Sequence, residues 1–82
     1  MGNTKLQLEE FSFDQFKSEF QDKTIAQLDV RKKTGVAVVG FKDDNRSFQF
    51  TPGPKTAISS NDIVIILGRI EEIDAFTAAY IR

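Results

Sequence analysis

Residues 35–50, GVAVVGFKDDNRSFQF, admit few structures. Val36 to Val39 run into Gly40, Phe41 and Lys42, a polar tip follows at Asp43-Asp44-Asn45, and Ser47-Phe48-Gln49-Phe50 then alternates polar with apolar. That pattern is a strand, a turn and a returning strand. Val36 to Lys42 has too few polar residues for a strand with one wet face, so it is expected inside a sheet covered on both sides, or at an interface. Gly40 in its middle predicts a bend or a close backbone approach. The returning strand is expected to keep one wet face. Thr51-Pro52-Gly53-Pro54 ends it, because proline donates nothing to a ladder and Pro-Gly is turn chemistry.

Around this hairpin the order is strand, helix, strand, strand, strand, helix: an α+β domain, residues 1–82, with a mixed or antiparallel sheet and helices packed on it. Leu6, Leu8, Phe11 and Phe13 predict a first strand with a bulge or bend near Glu9-Glu10. Ser12 and Gln15 have capping-box spacing, which predicts a short helix from Asp14 to Gln21, with its phenylalanines filling the core. Thr24 or Asp22 caps a clearer helix that ends at Gly35. Ile25 and Leu28 form its core face, while Ala26 and Val30 share another, well away at about 100° per residue. Either the end of the first segment covers Val30, or a partner does. Thr56-Ala57-Ile58 is a short extended segment, and Ser59 to Asp62 is a turn in which Asn61 accepts positive φ. Ile63 to Leu67 is the most buried strand, ended by Gly68. Ile70, Ile73, Phe76 and Tyr80 then predict an amphipathic final helix with acids in its first turn.

Composition narrows the function. The chain has 82 residues, and a domain of this size buries only about 60–65% of its unfolded surface. It contains no cysteine and no histidine, which removes disulfides, thiol chemistry and the usual proton shuttle and metal ligand. Lys and Arg number 11 against 12 Asp and Glu, so the cationic excess on which non-specific nucleic-acid binding rests is missing, and no nucleic-acid partner is expected. The five-residue apolar run from Ile63 to Leu67 is far short of the roughly 20 a membrane helix needs. Asp43 and Asp44 are neighbours on a hairpin tip, poorly placed for paired acid–base work and too few for a calcium loop. The Pro-Gly segment lacks a phosphate-loop pattern, and Ser59 and Ser60 have no base to activate them. No enzyme, metal site or resident cofactor is expected.

A binding or dimerising module remains. Ala26, Val30 and Arg31 at the end of the first helix lie next to the over-apolar strand from Val36 to Val39. Ala26, Val30, Val36 and Val38 are the candidate dimer contacts. Arg31 offers a planar fork suited to a phosphate or carboxylate, unless it bonds helix-terminal carbonyls or a local acid. Arg31-Lys32-Lys33 otherwise reads as a solvated helix C-terminus.

The stretch from Ser18 to Lys42 resembles the opening of the TrkA-C domain, also called the RCK C-terminal domain, and Thr51-Pro52-Gly53-Pro54, Asn61-Asp62 and Ile63 to Gly68 resemble its second half. The resemblance runs over roughly residues 6–80. It implies a small α/β domain that pairs as a homodimer, in the cytoplasmic regulatory part of potassium channels and transporters or of other ion and solute carriers, following a Rossmann-like nucleotide-binding domain. Some such domains bind cyclic di-AMP at the dimer interface. By position the resemblance points to Val30, Arg31, Lys33, Ala37 and Pro52 as ligand contacts. Asp22 and Asn61 stand where glycine is common, and both tolerate turn geometry. Ala37 stands where cyclic di-AMP binders typically have an amide, and alanine cannot make the bidentate contact with an adenine edge that asparagine can.

Overall fold

The computed structural model describes residues 5–42, 47–50 and 53–82. Its centre is a sheet of four strands, β1 (Gln7–Ser12), β2 (Ala37–Lys42), β3 (Phe48–Phe50) and β4 (Ile63–Gly68), in the order β1-β4-β2-β3 with every pair antiparallel. Among the described residues the α-helices are α1 (Ile25–Leu28), α2 (Val30–Thr34) and α3 (Ile70–Tyr80). The expected hairpin is present as β2 and β3, with Gly40 opposite Phe50 and Lys42 opposite Phe48. Its tip at Asp43-Asp44-Asn45 lies outside the described residues.

Cross-strand partners share a face, so the register sorts the side chains. Phe11, Val64 and Phe41 are mutually opposite, as are Val38 and Ile66, and this face carries the helices. The Phe76 ring of α3 lies 5.3 Å from Phe11 and meets Phe16 edge-on at 5.9 Å, and Tyr80 stacks 5.1 Å beyond it. Ile73, Phe76 and Tyr80 are buried, as predicted, but Ile70 is 54% exposed. At about 100° per residue, Ile70 sits about 90° from the mean direction of the other three and misses the stripe.

Leu8, Leu67 and Ala37 fall on the other face, where Leu8 is 63% exposed although Ile65 is buried. This explains why the predicted break at Glu9-Glu10 is absent. β1 pairs without interruption from Gln7 to Ser12, and Leu8 and Phe11 simply point to opposite faces. The irregularity lies instead in β2, where Val39 is an extra residue between Val38 and Gly40. Gly40 follows it because a Cβ there would meet the Phe48 ring at 2.8 Å and the Gln49 carbonyl oxygen at 2.9 Å. Phe48 keeps 41% of its surface, so the wet face expected of β3 includes an aromatic ring.

The helix predicted for residues 14–21 is instead two 3-10 turns, Phe13–Gln15 and Ser18–Phe20, separated by extended Phe16 and Lys17. Tertiary bonds win over the local pattern. Phe16 bridges Ile81, and the Lys17 N–H donates to the Tyr80 carbonyl at 2.8 Å, so neither continues a helix. The Ser12–Gln15 pairing survives as a bond from the Ser12 N–H to Gln15 Oε1 at 2.7 Å.

Candidate functional site

Thr24, not Asp22, opens the next helix. Its hydroxyl accepts the Gln27 N–H at 3.1 Å while Gln27 Oε1 accepts the Thr24 N–H at 2.9 Å. Such reciprocal caps are worth about 1 kcal/mol. The expected single helix then breaks. Asp29 adopts φ 53° and ψ 41°, a left-handed conformation that Asp tolerates better than most residues. α2 restarts at Val30 and stops at Gly35, itself at φ 90°.

That break bears on Ala26 and Val30, expected to share a face covered either by the chain itself or by a partner. The 100° rule holds only within an unbroken helix, and the kink at Asp29 turns Val30 inward to 4% exposure, among Leu28, Val36 and Phe76 in the core. Val36 is fully buried as well. Neither side chain has surface left to give a second copy, so of the four candidate dimer contacts only exposed Ala26 and half-buried Val38 retain contact area. Thr34, the remaining buried polar side chain of α2, donates its hydroxyl to the Val30 carbonyl at 2.7 Å and accepts the Val36 N–H at 3.3 Å.

Between the broken helix and the start of β2 lies a cleft of about 270 Å³. Ile25, Ala26, Val30, Val36, Ala37 and Val38 give it an apolar lining, and Asp29 and Arg31 stand with them. Five of the residues singled out from sequence other than Arg31 therefore meet here: Ala26, Val30, Val36, Ala37 and Val38. Lys33 is exposed and outside the lining, because two residues along a helix is roughly the opposite side from Arg31. Pro52 lies outside the described residues. Ile25, expected on the core face and packed there, also lines the cleft, and Asp29 was missed. The signal for Asp29 was its place between two apolar pairs that one straight helix could not satisfy.

Arg31 is exposed, and among the described residues its guanidinium has no hydrogen-bond or ion-pair partner, neither an acid nor a helix-terminal carbonyl. The ion pair among the described residues is Lys42 with Glu10 at 3.2 Å, on the open face of the sheet and partly exposed, where such pairs contribute little. Behind the cleft, Tyr80 donates its hydroxyl to the Leu28 carbonyl at 2.5 Å. Burial first, and the negative charge of Asp29 second, raise the Tyr80 phenol above its ordinary pKa. The described residues contain no group of three or more His, Cys, Asp or Glu able to hold a metal ion, and no helix long and apolar enough to cross a membrane.

The site is thus an apolar cleft on a helix-covered antiparallel sheet, with an arginine beside it that is unpaired among the described residues. The comparisons agree with the architecture. The family model of the TrkA-C domain matches residues 8–80, and the chain belongs to that family. The RCK_C domain dimer of S. agalactiae BusR in complex with c-di-AMP is similar at 25% identity and TM-score 0.75, covering 89% of this chain and 88% of that one. The C domain of the potassium transport protein KtrA, in complex with cyclic diadenosine monophosphate, matches at 20% identity and TM-score 0.75, covering 89% and 81%. The GsuK channel bound to NAD matches at 22% identity and TM-score 0.75, but this chain spans only 13% of that one. BusR is also known in complex with its promoter DNA, and there the chain spans 36% of the relative. A search of curated proteins gave no match.

Proposed function

We propose that the chain is a non-catalytic regulatory and dimerisation domain of a potassium, or other cation or solute, channel or transporter. It works on the cytoplasmic side, beside a Rossmann-like domain, and senses a small anionic effector in the cleft between two copies. The observation that carries this reading is the juxtaposition of the apolar cleft with the Arg31 guanidinium, which has no partner among the described residues. Ala26, Arg31, Ala37 and Val38 are the residues we assign to the shared surface, with Val30 and Val36 as the packed floor beneath it. Two protomers facing each other there would present two arginines to one symmetric anion. A ligand bridging them favours one subunit arrangement and shifts the population toward it, provided its affinity differs between the two arrangements. The near-balanced charge, 11 cations against 12 anions, supports the absence of a nucleic-acid surface on this domain.

A second reading has its own observation. Ala37 supplies no hydrogen-bonding side chain to the cleft, which favours a purely structural assembly domain without a small-molecule ligand. Thermal denaturation against a panel of mononucleotides, dinucleotides and cyclic dinucleotides separates the two. Stabilisation of the parent protein by a panel member, lost in Arg31→Ala, supports sensing, and cyclic di-AMP is expected to act weakly because of Ala37. A flat response across the panel leaves assembly alone.

A further inference from the structure

We propose that Tyr80 is a positioning residue for the cleft: its hydroxyl, bonded to the Leu28 carbonyl, holds open the break between α1 and α2 that sets Arg31 beside the cleft. The proposal rests on the cleft being the working site, but its geometry stands alone. In an unbroken helix the Leu28 carbonyl would accept the N–H four residues on, from Lys32. Here Asp29 turns left-handed, the Lys33 N–H goes to the Asp29 carbonyl at 3.1 Å, and the Gly35 N–H goes to the Arg31 carbonyl at 2.8 Å. The Leu28 carbonyl receives Tyr80 Oη–H in their place. Leu28 is 2% and Tyr80 0% exposed, so bulk water is poorly placed to substitute for that donor.

Tyr80 is itself held firmly enough to act as a fixed point. Its ring lies 4.8 Å from Phe20 and 5.1 Å from Phe76, and its carbonyl accepts the Lys17 N–H at 2.8 Å. One residue in the last turn of α3 thus joins the 3-10 segment, the core and the helix break. Without the hydroxyl, the buried Leu28 carbonyl loses this donor, and the backbone can replace it by closing the break toward a continuous helix, which moves Val30 and Arg31 together.

Amide hydrogen exchange on Tyr80→Phe tests this, because the ring contacts are kept and only the hydroxyl goes. Val64→Ala, in β4 and away from the break, supplies a general loss of stability for comparison. Exchange at the Asp29, Lys33 and Gly35 amides is expected to rise at least tenfold beyond the global change in Tyr80→Phe, and to track the global change in Val64→Ala. Equal acceleration in both variants overturns the proposal. A measurement on the parent protein needs no variant: the Tyr80 hydroxyl proton is expected as a slowly exchanging resonance with nuclear Overhauser contacts to Leu28 and Asp29, and a rapidly exchanging hydroxyl overturns the proposal. Sedimentation equilibrium reads the consequence for assembly, a shift of about fivefold or more in the dimer dissociation constant of Tyr80→Phe over that of Val64→Ala. A parent protein that is monomeric refutes the dimer reading and leaves the exchange result to decide the role of Tyr80.

Discussion

Val30→Ala is the sharpest probe of the helix break. Val30 is 4% exposed within a single chain, in contact with the main core. The substitution removes two methyl groups, a transfer loss of about 1.6 kcal/mol at about 0.8 kcal/mol per carbon. The surrounding core relaxes only partly, and the residual cavity adds about another 1 kcal/mol. The total, about 2–3 kcal/mol, is a large share of the stability of so small a domain. With a urea dependence on the order of 1 kcal/mol per molar, the midpoint should fall by roughly 2–3 M. Urea unfolding followed by circular dichroism measures it, repeated across protein concentrations. A core effect persists on dilution, whereas a contribution from subunit contact shrinks with it. A loss below about 0.5 kcal/mol, or one that vanishes on dilution, would refute the placement of Val30 in the core and restore it to an interface.

Three further expectations follow from the same geometry. Gly35→Ala should cost about 1–2 kcal/mol in unfolding free energy, because φ is 90° and the new Cβ would meet Glu72 Oε2 at 2.7 Å; part of that loss should disappear in a Glu72→Ala background, since Glu72 Oε1 also accepts the Arg69 N–H at 2.8 Å. Stability should be full below about pH 10 and fall as pH rises through the elevated Tyr80 pKa, because the unfolded chain ionises first; thermal unfolding from pH 9 to 11.5 should show that slope in the parent and a shallower one in Tyr80→Phe. Ala26→Asp, on exposed surface, should leave the unfolding of the isolated protomer within about 0.5 kcal/mol and raise the dimer dissociation constant at least tenfold in sedimentation equilibrium.

Much of the fold was legible because its signals are local. The β2–β3 hairpin, the buried run of β4, the Thr24 cap, Gly35 and Asn61, which adopts φ 73°, each follow from residue types whose backbone preferences are strong. Segments decided by tertiary bonds were not legible. Phe16 and Phe20 have helical spacing, yet the chain between the two 3-10 turns is extended because Lys17 bonds Tyr80 across more than sixty residues. The site was legible in outline for a related reason. Apolar surplus near Arg31 marked the region, while the left-handed turn at Asp29 decided which side chains are floor and which are rim. A period of 3.6 residues carries no information about a single residue that leaves the helix. Leu8 and Phe11 taught the same lesson for strands: spacing identifies a strand, but a face is apolar only where something covers it.

Two copies are expected to meet at the cleft. Backbone and methyl resonances recorded over a protein dilution series test it most directly. Concentration-dependent shifts are expected to concentrate at Ala26, Arg31 and Val38, with Leu8 and Phe48 on the open sheet face unmoved. Spectra that do not change with concentration, or changes centred on Leu8 and Phe48, would contradict it.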